Sequence, residues 1–117
     1  NIINNKFLKK ELIKPTKIYV KEISKLIEKN LINGCCHITG GGLKDNLQRV
    51  IPNGLNAKLN LNSIKVSPIF RWIKKNNLSD YEMLKTFNCG VGFCIILNKK
   101  NVKRVQNYFT KEWWKTR

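Results

Sequence analysis

Apolar positions recur along this chain at two different spacings, and those spacings divide it into alternating helices and strands. Residues 1–14 are polar and basic with scattered apolar positions, and read as a lead-in segment or linker that Pro15-Thr16 breaks off. Tyr19, Ile23, Leu26 and Ile27 then fall on one helical face, and Asn33-Gly34 closes that helix. Residues 35–39 read as a short strand running into Gly40-Gly41-Gly42. Leu43, Leu47 and Val50 return to helical spacing until Pro52 ends the run. Leu55, Ala57, Leu59 and Leu61 alternate with Asn56, Lys58, Asn60 and Asn62, a period of two that predicts a strand with one wet face. Ser67-Pro68 places an N-cap before a proline at the first helical position, and the helix behind it buries Ile69, Trp72 and Ile73. Ser79-Asp80-Tyr81-Glu82 has capping-box spacing and opens a helix with Met83, Leu84 and Phe87. Residues 89–97 are apolar on both faces, which predicts a central strand, with Gly90 and Gly92 on one face leaving room for a close neighbour. Val102, Val105 and Phe109 mark a last helix. With no repeat visible, the pattern predicts one layered domain of the α/β or α+β class.

Composition narrows this picture. At 117 residues and 42% apolar, the chain is long enough for one domain with a real core and too short for two. No apolar run approaches the length of a membrane span, and the first ten residues hold no signal-peptide stretch. The chain does not begin with methionine, so it reads as a piece of something longer or as a processed product. A formal charge of +16 suggests nucleic acid at first sight. Yet lysine outnumbers arginine 19 to 4, and the chain also carries 16 Asn and 14 Ile, the mixture an AT-rich coding sequence produces regardless of function. Lys17, Lys21, Lys25 and Lys29 form a row four residues apart, partly offset by Glu22 and Glu28 and best read as a solvated face. A basic nucleic-acid-binding module stays open as a reading of a different class, but no specific nucleic acid is expected.

The four cysteines read as small buried hydrophobes in a reducing cytoplasm. Cys35 and Cys36 are neighbours in a strand and point to opposite faces; Cys89 and Cys94 also face opposite ways if their strand is regular. There is no CxxC and the sole histidine is His37, so no metal site is expected.

The stretch His37-Ile38-Thr39-Gly40-Gly41-Gly42-Leu43 is a strand, three glycines and a helix start. Such a turn exposes consecutive N–H groups that suit phosphate, although the same pattern also serves as a tight corner. The Gly-Lys-Ser/Thr of a P-loop is absent. With one histidine, no serine elbow and seven scattered acids, hydrolase triads and paired-carboxylate sites have little to build on. Thr16, His37, Thr39 and Asn88 remain as polar groups near a phosphate cradle.

Three motifs occur in order: Pro15-Thr16-Lys17-Ile18-Tyr19-Val20-Lys21, then His37-Ile38-Thr39-Gly40-Gly41-Gly42, then Thr86-Phe87-Asn88-Cys89-Gly90-Val91-Gly92. Together with Asn46, Arg49-Val50, Pro52 and Phe70-Arg71-Trp72, they closely resemble the C-terminal domain of the aminoimidazole ribonucleotide synthetase (phosphoribosylformylglycinamidine cyclo-ligase) family over residues 15–109. The resemblance implies an α+β fold, a three-layer α/β/α domain with partial ferredoxin-like similarity, over residues 15–117. It implies a cytoplasmic enzyme of purine biosynthesis that uses ATP and Mg²⁺ to close formylglycinamidine ribonucleotide into aminoimidazole ribonucleotide. ATP activates the amide oxygen as a phosphate ester, and an amidine nitrogen then attacks with loss of phosphate. The resemblance further implies that an N-terminal domain holds ATP and metal and forms a homodimer, so that this chain alone would be inactive. Thr16, Thr39, Gly40, Gly41 and Gly42 become candidates for the substrate phosphate, and His37 and Asn88 candidates for catalysis. Within the superfamily, formylglycinamidine ribonucleotide synthase and selenophosphate synthetase are alternatives, and Phe87-Asn88-Cys89-Gly90 favours the cyclo-ligase. Two departures are visible. Lys17 stands where arginine is common, and the chain ends Glu112-Trp113-Trp114-Lys115-Thr116-Arg117 where the family usually continues into a strand, so a final strand is expected to be missing.

Overall fold

The computed structural model describes residues 5–112, with side chains described for 5–110. The fold is mixed α+β: six helices and a single two-stranded antiparallel sheet among the described residues. These elements group into two compact units, one formed by residues 5–17 and 37–92, the other by residues 18–36 and 93–112.

In the second unit, helix α2 (Val20–Glu28) turns Ile23 and Leu26 inward. They meet Leu31 and Val105 of helix α6 (Val102–Glu112) in a core that Tyr19, Cys35, Phe93 and Ile95 complete. The Tyr19 and Phe93 rings lie 5.0 Å apart. Helix α2 stops well before Asn33-Gly34. Asn30 takes φ +50°, its N–H donates to Ile27 O at 2.8 Å, and Leu31 N–H donates to Leu26 O at 3.0 Å. This Schellman ending folds Leu31 back beside Leu26, so burial of the residue after the cap decides where the helix ends. Asn101, at the end of a 3₁₀ turn (Lys99–Asn101), donates its amide to Leu31 O at 3.2 Å and pins the same corner.

Strands β1 (Gly34–His37) and β2 (Phe93–Ile96) run antiparallel. Cys35, Phe93 and Ile95 occupy the face that packs on the helices, and alternation sends Cys36 and Cys94 to the other. Among the described residues the sheet has two strands and no central one, and of residues 89–97, expected as one strand, Phe93–Ile96 forms β2. Cys89 at φ +53° and Gly90 at φ +99° instead form a turn.

In the first unit, helix α1 (Lys6–Leu12) lies within the stretch read as a lead-in segment. Asn5 caps it by accepting from Leu8 N–H at 3.1 Å, and Leu8 is buried. Helix α3 (Gly42–Gln48) buries Leu43 and Leu47 and packs against helix α5 (Asp80–Thr86), which buries Met83. Helix α4 (Pro68–Lys74) starts at Pro68 as expected, but Ser67 makes no side-chain cap bond. The capping box of α5 is complete, with Ser79 Oγ accepting from Glu82 N–H at 3.2 Å and Glu82 accepting from Ser79 N–H at 2.9 Å.

The strand expected over residues 55–61 is absent: that stretch is irregular, and a 3₁₀ turn covers Leu61–Ser63. Leu55, Asn56, Ala57 and Leu59 line a groove of about 570 Å³ with Leu43, Leu47 and Leu84. The alternation is met here neither by burial nor by pairing in a sheet, with Leu55 64% and Leu59 42% exposed.

Candidate functional site

The glycine loop is held in place by one buried amide. Asn46, 5% exposed on the inner side of α3, donates from Nδ2 to Gly42 O at 2.8 Å and Gly40 O at 3.1 Å, with Thr39 O at 3.5 Å. Gly42 N–H turns inward to Thr39 O at 3.1 Å. The loop carbonyls are thus gathered on the protein side, and among the described residues no hydrogen bond engages the N–H of Gly40 or Gly41.

The three glycines answer to different constraints. Gly42 has φ +60°, and a Cβ there would lie 2.2 Å from Leu84 O and 2.8 Å from Phe87 O. Its lack of a side chain lets α3 approach the end of α5. Gly90 faces Lys65 O and Ser67 N, each 3.2 Å from its notional Cβ. Gly41 has φ +90° and faces Asp45, whose Oδ2 would be 3.0 Å from a Cβ. Gly40 has open space and needs no unusual backbone angle.

The second and third motifs meet here. Ile38 N–H donates to Gly92 O at 2.9 Å, and the Gly42 contact with Phe87 joins the loop to residues 87–92 at its other end. His37 is exposed at the end of β1, and Thr39 is exposed beside the loop. Asn88 is half-buried; its Oδ1 accepts from Gly90 N–H at 3.0 Å while its carbonyl accepts from Val91 N–H at 2.8 Å. With Oδ1 engaged, the Asn88 amide offers its NH₂ end as a donor. Thr16 is exposed in the connection after α1, and no hydrogen bond among the described residues ties it to the loop.

Two features of this neighbourhood carry no signal in the motifs. Asp45 puts a carboxylate beside Gly41, in the first turn of α3. Lys44 donates to Tyr81 Oη at 2.8 Å with its ammonium 4.7 Å from the ring centre. That bond holds the Tyr81 phenol below its ordinary range and Lys44 above its own. The pair lies at the apolar groove, whose lining includes none of Thr16, His37, Thr39, Gly40, Gly41, Gly42 or Asn88. Cys89 is buried, its thiol pushed up by burial and its Sγ 3.5 Å from Met83 O.

No three His, Cys, Asp or Glu side chains among the described residues converge on a point that could hold a metal ion. Asp45 is the carboxylate beside the loop, and the neighbouring Lys44 is engaged with Tyr81. No described helix is long and apolar enough to cross a membrane.

The ordered motifs, the α+β fold and a glycine loop clamped from the following helix define a class, and comparison agrees. Residues 3–115 match the family of AIR synthase related proteins, C-terminal domain, and the chain belongs to that family. Its relatives are proteins of purine biosynthesis. The chain is 47% identical over 92 residues to the trifunctional purine biosynthetic protein adenosine-3 of Chironomus tentans, covering 78% of this chain and 7% of that protein. It is 44% identical over 96 residues to the phosphoribosylformylglycinamidine cyclo-ligase of Alkaliphilus oremlandii, and 40% identical over 99 residues to that of Methylobacillus flagellatus. Those matches cover 81% and 84% of this chain, but 28% and 29% of the relatives, so the chain spans less than a third of the curated relatives it matches.

Proposed function

We propose that this chain is the C-terminal part of an ATP-dependent cyclo-ligase that closes formylglycinamidine ribonucleotide to aminoimidazole ribonucleotide. The observation that carries the reading is the junction of His37–Gly42 with residues 87–92: two separate family motifs meet through Ile38, Gly42, Phe87 and Gly92. Gly40 and Gly41 N–H hold the ribose phosphate, with the hydroxyls of Thr39 and Thr16 as further donors. Asn88 donates its amide to the substrate, and His37 positions the reacting amide or moves a proton. ATP and Mg²⁺ would supply activation of the amide oxygen and would be held mainly by a partner N-terminal domain, as the family resemblance implies. The complete enzyme is a cytoplasmic homodimer in which this part adopts a three-layer α/β/α arrangement with partial ferredoxin-like similarity.

Gly40 offers the clean test, since its substitution neither strains the backbone nor meets a neighbour. In a cyclo-ligase carrying this sequence as its C-terminal domain, Gly40→Ala raises KM for the ribonucleotide about tenfold and leaves Tm unchanged. An unaltered KM in that folded variant removes the phosphate role. The 117-residue chain alone, given ATP, Mg²⁺ and the ribonucleotide, yields no product, because phosphoryl transfer depends on positioning by groups it lacks. Product above a protein-free control would contradict this division of labour.

A further inference from the structure

Cys36 and Cys94 come from positions 58 residues apart in sequence and face each other across the sheet. The bond from Ile38 N–H to Gly92 O sets the register, and two residues further along each strand the antiparallel pairing reaches Cys36 and Cys94. Both side chains lie on the face turned away from the α2–α6 core, both are half-buried, and they share a hydrogen bond. That register makes Cys36 and Cys94 a hydrogen-bonded pair, whose Cα atoms lie roughly 5.5 Å apart, inside the range a disulfide spans. Cys35 points into the core and Cys89 is buried against Met83, so neither competes for the same partner.

We propose that Cys36 and Cys94 form a reversible disulfide by exchange with a small-molecule disulfide. The Cys36 thiolate attacks one sulfur of the small disulfide, forms a mixed disulfide and releases one small thiolate, which takes up a proton. The Cys94 thiolate then attacks the Cys36 sulfur, closes the protein bond and releases the second small thiol. Two protein thiols are oxidised and one small disulfide is reduced to two thiols. The order of attack follows from the shared hydrogen bond. Burial pushes both thiols up, Cys94 to about 11; the bond to Cys94 offsets part of this at Cys36 and adds to it at Cys94. Cys36 therefore ionises first, and Cys94 resolves. The closed loop contains residues 37–93, which include both motifs of the proposed site, and closing so long a loop removes much unfolded-state freedom.

Oxidised glutathione is the probe. Incubated with it, the purified 117-residue chain is expected to lose two hydrogens in mass and to carry a Cys36–Cys94 link on peptide fragmentation, with Tm raised by about 10 °C and restored by dithiothreitol. Cys94→Ser should stop at one glutathione on Cys36, and Cys35→Ser should still bridge. If Cys94→Ser misfolds, the fragmentation map of the unaltered chain decides. A bridge through Cys35 or Cys89, or no bridge in the folded wild-type chain, overturns the proposal.

Discussion

At the scale of single residues, Gly42 and Asn46 carry the loop. Asn46 is a buried polar side chain whose two amide hydrogens satisfy the Gly40 and Gly42 carbonyls. Removing a donor from buried acceptors costs about 1–3 kcal/mol. Asn46→Leu is therefore expected to lose about that much in denaturant unfolding, and Asn46→Asp more, because a carboxylate sets a charge against carbonyl oxygens. Gly42→Ala should cost about 2 kcal/mol or more, since the left-handed φ is unfavourable for alanine and the Cβ meets Leu84 O. Gly40→Ala, by contrast, should be close to neutral in the same measurement. Equal losses at both glycines would mean that the loop is not held as described. The glycine run was legible in the sequence, but the different role of each member was not, because the roles depend on Leu84, Phe87 and Asp45 arriving nearby.

At the scale of elements, α5 is the helix whose start was read most directly. Its capping box is local, closing between Ser79 and Glu82 across three residues, so no distant contact was needed to foresee it. Ser79→Ala is expected to destabilise the protein by about 1 kcal/mol. Glu82 adds a pH dependence with a definite sign. Its hydrogen bonds to the Ser79 backbone and then to its hydroxyl hold the carboxyl below the ordinary 4.5. A carboxyl depressed in the folded state contributes fully above its unfolded value and loses that contribution as pH falls through the folded one. Urea unfolding between pH 7 and pH 3 should therefore show a loss below about pH 4.5 that is smaller in Glu82→Gln. A variant profile parallel to wild type would remove Glu82 from the account. The end of α2 is the contrasting case. Asn33-Gly34 is the stronger stop signal in the sequence, yet Asn30 ends the helix, because Leu31 gains more by turning back onto Leu26 than by extending the helix.

For the whole molecule, the charge of +16 is the property most open to misreading. Lysines are spread over both units, and several are committed elsewhere. Lys44 binds Tyr81, Lys29 stands 5.7 Å over the Tyr108 ring, and Lys74 pairs with Asp80. Binding to a random-sequence oligonucleotide should therefore fall steeply between about 50 and 200 mM salt, with no preference among sequences. Tight, sequence-selective binding at the upper salt would restore the nucleic-acid reading.

What the amino-acid sequence determined by itself was whatever is written in short-range pattern: the helical faces, the capping box of α5, the proline start of α4 and the three motifs that assign the family. These rest on backbone geometry and local hydrogen bonds, which a few adjacent residues control. Tertiary structure alone decided the rest. Period-two alternation over residues 55–61 fits a strand locally, but a strand also needs a pairing partner, and among the described residues this exposed stretch has none. The same holds for the apolar residues 89–97, shortened to Phe93–Ile96 by the turn at Cys89-Gly90, and for Cys36 and Cys94, whose meeting depends on strand register. Pairing is a property of two distant segments together, so no window on either one contains it.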